Sequence, residues 1–387
     1  MTPVYLTLNA GSSTLKLSAW RYDNHARVLD GLIDHFGAAG SSLTLSRPGG
    51  AKQSKPLDKP DPRGAVQTLL AAFESLGLQP MAAIHRVVHG GSKYSDPVRI
   101  DGEVRADLEE LIPLAPLHQP VSLSVIDALS LWQPKLMQIA CFDTGFHHVE
   151  QSRFNRFAIA RHWYDEGVRR YGFHGLSYAS IARQLPDIGL AHSRVVVCHL
   201  GSGSSACALQ NGNSVATSMG FSALDGLVMG TRPGNLDPEV VLYWIEQKGM
   251  TVNDVRNELY RKSGLLGLSG LSADMRELLA STRPEAFEAV EIFCDRVARE
   301  VASLATALDG FDALVFTAGI GEHSPEIRAR ILKRLAWLGL KIDDEANAGA
   351  GHHQCITKPT SKRAAWVLAT DEEGEMLREG LGLLEPG

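Results

Sequence analysis

A strand followed by a turn of small residues occurs twice in this chain, about half its length apart, and no other feature constrains the fold as strongly. Val4-Tyr5-Leu6-Thr7-Leu8-Asn9-Ala10-Gly11-Ser12-Ser13 is echoed by Val195-Val196-Val197-Cys198-His199-Leu200-Gly201-Ser202-Gly203-Ser204-Ser205. An apolar run that ends in small residues lets the backbone turn tightly and offer N–H groups, with hydroxyls beside them, to an anion. One such turn is usually a plain hairpin. Two of them half of 387 residues apart read as duplication of a whole domain rather than as a solenoid repeat. The expectation is two similar halves facing each other across a cleft, each forming one wall around a phosphate chain.

Length supports that division, because 387 residues exceed one ordinary core and suffice for two α/β domains. A formal charge of −6 leaves no basic excess to neutralise a polyanion, which argues against nucleic-acid or acidic-membrane partners, so any phosphate site must be local. The five cysteines, Cys141, Cys198, Cys207, Cys294 and Cys355, are scattered and show no CxxC spacing, as thiols of a reducing compartment do. The chain enters a strand without a basic, cleavable leader and has no run of 18 apolar residues, so a cytoplasmic, non-membrane protein is expected.

Short apolar runs at 82–88, 136–142, 195–200, 313–317 and 364–369 read as buried strands with helical patterns between them, the signature of helices layered on mostly parallel or mixed sheets. Residues 47–62, rich in Pro, Gly, Lys and Asp, read as a surface loop or hairpin tip. Between Glu285 and Leu308, Phe287, Val290, Phe293, Val297, Val301, Leu304 and Leu308 recur at helical steps and predict a long amphipathic helix with a core-facing stripe. Gly319-Ile320-Gly321-Glu322-His323-Ser324-Pro325-Glu326 predicts a strand-to-helix turn with Ser324 as N-cap, Pro325 in the first turn and Gly339 ending the helix. A helix start after glycines suits an anion or a nucleotide lying close to the backbone, and equally an ordinary turn.

The ends of the predicted strands carry an unusual load of polar groups, where α/β proteins place ligands. Asn9, Asp143 and the run Asp371-Glu372-Glu373 supply an amide and carboxylates suited to a magnesium ion that keeps several waters and bridges phosphates. Arg86, inside His85-Arg86-Val87-Val88-His89-Gly90-Gly91, needs a carboxylate or phosphate partner if buried, and a structural ion pair is the competing reading. Arg232 sits in a loop stiffened by glycine and proline, Met229-Gly230-Thr231-Arg232-Pro233-Gly234. Two such arginines suggest bidentate recognition of a carboxylate and of a phosphoryl group in transfer. His118, His174 and His199 lack zinc-type spacing and are as well suited to hydrogen-bonded packing.

With these residues in place, the chain resembles the acetate kinase family, within the superfamily of acetate and sugar kinases, hexokinases and actin. The motifs occur in family order from Asn9 to Glu373: Asn9-Ala10-Gly11-Ser12-Ser13, His85 to Gly91, Leu114-Ala115-Pro116-Leu117-His118, Phe142-Asp143-Thr144, Tyr171-Gly172-Phe173-His174-Gly175, Met229 to Arg232 and Gly319-Ile320-Gly321-Glu322. The resemblance implies a duplicated actin-like, ribonuclease H-like two-domain fold, residues 1–148 with 371–387 in one domain and 149–370 in the other, the second carrying most of the nucleotide site. It implies reversible transfer of the ATP γ-phosphate to acetate, giving acetyl phosphate and ADP, with magnesium (manganese as a substitute), in a homodimer whose domains close to exclude water.

By motif position the resemblance casts Arg86 and Arg232 as substrate and phosphoryl clamps, His174 as transition-state stabiliser and His118 as a phosphate-site residue. Asn9, Asp143 and Glu372 are cast as magnesium and catalytic-site groups, and Val88, Leu117 and Phe173 as the pocket for the acyl methyl. Lys16, His199, Gly201, Ser202, Gly203, Gly319, Ile320, Gly321, Glu322 and His323 fall on the nucleotide side. Ser202 stands where the family usually has Asn, Asn235 where Asp is frequent, Ala223 where Pro is frequent and His323 where Asn is frequent. Propionate kinase is the near alternative. An actin-like nucleotide-gated binding protein is the alternative from another class, though it has no need of two arginines and a methyl-sized pocket.

Overall fold

The computed structural model describes residues 1–11, 14–35, 40–148 and 153–384, so Ser12 and Ser13 of the first turn lie outside the described residues. The chain divides into two compact units, Met1–Gly145 with Asp371–Gly387, and Phe146–Thr370.

Each unit is built on one sheet of the same plan. The first contains β1 (Thr2–Ala10), β2 (Leu15–Arg21), β3 (Arg27–Asp34), β4 (Ser42–Ser46), β5 (Gln53–Pro56), β6 (Leu78–Val87), β7 (Val98–Arg99) and β8 (Met137–Phe142), in the order β5-β4-β3-β2-β1-β6-β8-β7. The second contains β9 (Arg194–Leu200), β10 (Ser204–Gln210), β11 (Asn213–Thr217), β12 (Ala313–Thr317), β13 (Gln354–Cys355) and β14 (Ala364–Val367), in the order β11-β10-β9-β12-β14-β13. In both, an antiparallel meander leads out from one central strand, two parallel crossovers lead out from its other side, and a short antiparallel strand closes that edge. The two small-residue runs join the antiparallel pairs β1–β2 and β9–β10.

Burial on both faces explains why the parallel strands read as unbroken apolar runs. In the first sheet, Pro62–Ser75 and Gln119–Trp132 pack Leu69, Phe73, Val125 and Leu129 against Leu6, Leu8 and Leu17. The opposite face is covered by Glu372–Leu384, where Gly380 is required because a Cβ there would lie 2.6 Å from Ile84 Cδ1. In the second sheet, Val196, Cys198 and Phe316 face the helices Pro284–Ala307 and Pro325–Arg334, whereas Val195, Val197 and Val315 face Tyr178 and Ile181 of Gly175–Gln184. Among the described residues no helix is long and apolar enough to cross a membrane.

Local expectations differ from the structure at four places. Residues 47–62 are not all loop, because Gln53–Pro56 adds an exposed edge strand to β4. Phe287 leaves the predicted stripe and is 59% exposed, with the Arg330 guanidinium 5.4 Å from its ring centre. Ser324 does cap Pro325–Arg334, but that helix stops at Arg334, and Gly339 ends a following 3-10 turn, Ala336–Leu338. A separate short helix, Ala318–His323, precedes Ser324 where only a turn was expected. Six residues carry too little periodicity to reveal a helix in sequence.

Three buried histidines, His85, His89 and His147, tie folding to pH, each pushed down to about 4 by burial. His85 is bonded to Gln138 Oε1 at 2.8 Å, and His147 to Ser214 and to the Phe173 carbonyl. An unfolded histidine titrates near ~6.5, so below that pH the unfolded chain takes up protons that the folded chain refuses. The contribution is therefore complete above about pH 6.5 and is lost as pH falls towards 4, on the order of 3 kcal/mol per histidine. Urea midpoints are expected to fall between pH 7 and pH 4.5, and less steeply in His147→Gln. Equal slopes in parent and variant would mean that His147 takes up its proton in place.

Candidate active site

In the first unit, strands β1, β6 and β8 run parallel with Asn9 beside Arg86 and Arg86 beside Cys141. Asp143, two residues beyond Cys141, continues the same face at the C-terminal strand ends. That face carries the C-terminal helix, whose first residue is Glu372. Register alone therefore gathers four polar groups from three strands and one helix.

The Arg86 guanidinium meets Asp143 bidentately, Nε to Oδ1 at 2.9 Å and Nη2 to Oδ2 at 2.6 Å. Its Nη1 donates to Asn9 Oδ1 at 2.9 Å and lies 3.9 Å from Glu372 Oε2. Asn9 Nδ2 in turn donates to Glu372 Oε2 at 3.2 Å. Arginine can only donate and a carboxylate can only accept, so these contacts set the orientation of the Asn9 amide. Burial pulls the Arg86 pKa down, but the carboxylates of Asp143, Glu372 and Glu373 together hold it above its ordinary value. Glu373 itself is pushed up by burial and by its neighbour Glu372, with exposed Lys16 acting in the opposite sense. The ion pair that competed with the substrate-clamp reading of Arg86 is thus present, and a ligand meets the guanidinium only through its remaining N–H groups.

Hard oxygen donors with an excess of negative charge fit a hydrated divalent cation held largely through water. Among the described residues no three His, Cys, Asp or Glu side chains cluster as a closed metal cage, which that chemistry does not need. Val88 is buried in this unit, and Leu117 and His118 are half-exposed, His118 as the N-cap residue of Gln119–Trp132.

The second unit uses the equivalent strand ends. His199 lies near the end of β9, and the Gly201–Gly203 hairpin follows, closed by Gly201 N–H to the Gly203 carbonyl at 3.1 Å. His174 caps the helix Gly175–Gln184 at φ +58°, a left-handed backbone that costs a non-glycine residue about 1 kcal/mol or more. Its ring stacks on His199 with centroids 4.1 Å apart and planes 16° apart, and its Nδ1 lies 2.8 Å from Ser205 Oγ. His199 Nδ1 lies 2.8 Å from Ser177 Oγ.

A Cβ on Gly203 would come 2.9 Å from Arg232 Nη2 and 3.3 Å from His174 Nε2, so the missing side chain keeps a small space lined by a guanidinium and an imidazole. Arg232 donates from Nη1 to the Ala223 carbonyl at 2.7 Å, and among the described residues no carboxylate pairs with it. Burial lowers its pKa to about 10, so it remains charged at neutral pH while lacking the counter-charge that Arg86 has. Its loop is held rigidly. Carbonyls of Met229, Gly230 and Thr231 accept from the N–H groups of Leu265, Leu266 and Ser263, and Gly230 N–H donates to the Ser202 carbonyl.

Ser202 is exposed at the hairpin tip. Gly319, Ile320, Gly321, Glu322 and His323 lie within the short helix after β12, not on a turn. Glu322 points back into its own unit, its Oε1 accepting from Ala318 N–H at 2.8 Å and Thr370 N–H at 3.3 Å. It braces the left-handed Ala318, at φ +64°. Phe173 is fully buried.

Two supporting residues were not anticipated. Gly264, at φ +64°, permits the Arg232 loop, since a Cβ there would lie 2.2 Å from the Met229 carbonyl oxygen, a contact no local sequence pattern announces. Arg328 is 1% exposed and binds the carbonyls of Gly321, Glu322 and Asn347 together with Asn347 Oδ1, fastening the short helix. Its signal was legible, since it interrupts the apolar stripe Ile327, Ile331, Leu332.

Positive charge without a counter-charge, set at the strand ends of a duplicated α/β fold, marks an enzyme of phosphoryl transfer, because charge on the moving group must be met by groups already in place. The chain belongs to the acetokinase family, whose model matches residues 4–378, and it is a kinase. It is 46% identical over 399 residues to the acetate kinase of Rhodopseudomonas palustris, covering 100% of both chains. Its structure is similar to that of Porphyromonas gingivalis acetate kinase (TM-score 0.87, 33% identity, covering 99% of this chain and 100% of that one). It is also similar to a propionate kinase from Francisella tularensis (TM-score 0.91, 34% identity, covering 98% and 99%).

Proposed function

We propose that this chain transfers the γ-phosphoryl group of ATP reversibly to acetate, yielding acetyl phosphate and ADP, in the cytoplasm. In a chain of this family, the observation that carries the reading is Arg232, a half-buried guanidinium lacking a carboxylate partner among the described residues, beside His174 Nε2 at the space that Gly203 leaves open.

Acetate is already a nucleophile at neutral pH, because carboxyl groups titrate near ~4, so no strong base is needed. One carboxylate oxygen forms a bond to the γ-phosphorus as the bond to the β–γ bridging oxygen breaks, and ADP leaves with that electron pair. Arg232 and His174 donate to the oxygens of the transferring group, whose charge they meet without reorganising. Arg86, aimed by Asp143 and Asn9, orients the acceptor carboxylate with its remaining N–H groups. Asn9, Asp143 and Glu372 would hold a magnesium ion, or manganese, which when bound supplies positive charge to the phosphates. Val88, Leu117 and Phe173 serve the acyl methyl, His118 the phosphate, and Lys16, His199, the 201–203 hairpin and residues 319–323 the nucleotide.

A second acceptor is favoured by one observation, the likeness to a propionate kinase. Ala223 has no ring to fill a pocket wall, and its carbonyl is tied to Arg232. Acetate-dependent ADP release with hydroxylamine trapping of the acyl phosphate tests the function. Acetate is expected to be the better substrate, with propionate within about tenfold in kcat/KM, and Ala223→Pro should widen that ratio. ADP release that ignores both acids would remove the proposal, and an unchanged ratio would remove Ala223 from the pocket.

The working form is a homodimer. Pro238–Glu246 buries none of its residues although it carries half-exposed Leu242, Tyr243 and Ile245, an apolar surface that a second copy would cover. A monomer by sedimentation equilibrium at micromolar concentration would refute this.

A further inference from the structure

We infer that Tyr178 and Ser205 order the protons around His174, holding its imidazole in the neutral form with hydrogen on Nε2. The Tyr178 hydroxyl lies 2.5 Å from Ser205 Oγ, and Ser205 Oγ lies 2.8 Å from His174 Nδ1. Tyr178 and Ser205 are both fully buried.

Counting protons leaves one arrangement. Among the described residues, Ser205 Oγ is the acceptor that the Tyr178 hydroxyl reaches, and a buried O–H without an acceptor is costly. Tyr178 therefore donates to Ser205. Among the described residues Ser205 Oγ reaches only Tyr178 and His174 Nδ1, so its own proton goes to Nδ1. If Nδ1 carried hydrogen instead, either the serine or the tyrosine proton would point at nothing. Nδ1 is thus an acceptor and the neutral ring carries its hydrogen on Nε2, the nitrogen beside Gly203 and Arg232. Ring stacking on His199, itself fixed through Ser177, keeps the imidazole plane in place.

The chemical consequence rests on the proposed function. His174 would act as a fixed hydrogen-bond donor to the phosphoryl oxygens rather than as a group that gains and loses a proton. Tyr178 and Ser205 are positioning residues, acting through it.

The test uses the full chain labelled with ¹⁵N-histidine, with long-range ¹H–¹⁵N correlation and His174→Gln to assign the signals. The parent is expected to show a protonated Nε2 and a bare Nδ1 from pH 6 to 8. A protonated Nδ1 in the parent overturns the inference, whatever the activity. Ser205→Ala and Tyr178→Phe should give mixed tautomers and about 10–100-fold lower kcat, with Michaelis constants for acetate and ATP within about twofold. Ser205→Thr, which keeps the hydroxyl, should restore both signals and rate. Variants that keep the parental tautomer overturn the inference too. The expected tautomer in a protein that shows no acetate-dependent transfer would instead remove the function and leave the proton order standing.

Discussion

Arg232→Ala is expected to lower acetate-dependent turnover by about 10³-fold, within the range over which arginines stabilise phosphoryl transfer, with little change in folding stability. Most buried arginines are costly to truncate because a carboxylate is left behind. Arg232 has no such partner among the described residues, and its pKa is lowered to about 10 by burial. Its removal relieves a desolvated charge and gives up a hydrogen bond to the Ala223 carbonyl, and these effects oppose each other. Arg232→Lys should recover little, since an ammonium cannot reproduce the planar fork. Steady-state kinetics and urea melts on the same preparations decide the matter. A variant within tenfold of the parent rate, or one destabilised by more than about 2 kcal/mol, would mean that the guanidinium is structural.

Arg86→Ala is expected to fail in a different way, losing activity by about 10²-fold or more and stability by about 3–5 kcal/mol, because it takes the counter-charge from the buried Asp143 carboxylate. Asp143 has only 1% of its side chain exposed and takes three guanidinium hydrogen bonds, two of them from Nε. The double variant Arg86→Ala/Asp143→Ala should regain part of the stability, since the buried Asp143 carboxylate is gone while Glu372, 3.9 Å from the lost guanidinium, keeps its charge, and none of the activity. Urea unfolding of the parent, both single variants and the double variant forms a complete cycle. If Arg86→Ala unfolds at the parental midpoint, the pair contributes no net stability and the physical distinction between the two arginines disappears.

That distinction was invisible in the sequence. Both arginines stood near glycine-rich motifs, and both suggested anion recognition. The partner of Arg86 is 57 residues away, and Glu372 lies 363 residues from the Asn9 amide it accepts from. Parallel strand register determines such meetings, and register depends on how whole strands pack their side chains rather than on any local pattern. Likewise, the left-handed backbone of His174, the Gly264 contact under the Arg232 loop and the Tyr178–Ser205–His174 chain are relations between segments that fold independently of one another's spelling.

Local sequence sufficed where local physics decides. The apolar run Ala313–Thr317, the Ser324 cap and the helical steps of Pro284–Ala307 were legible because burial, capping and periodicity act within one element. The duplicated turn announced the antiparallel pairs β1–β2 and β9–β10, and the ordered motifs announced the family. Phe287 shows where that reach ends: it keeps the helical step yet is 59% exposed, with the Arg330 guanidinium over its ring, while Ala286 and Val290 on the same turn are buried. Periodicity names a face, but only the neighbours decide whether the face is buried. In the same way composition supplied the two arginines, and tertiary structure alone decided that Arg86 would be neutralised by Asp143 while Arg232 would have no carboxylate partner among the described residues.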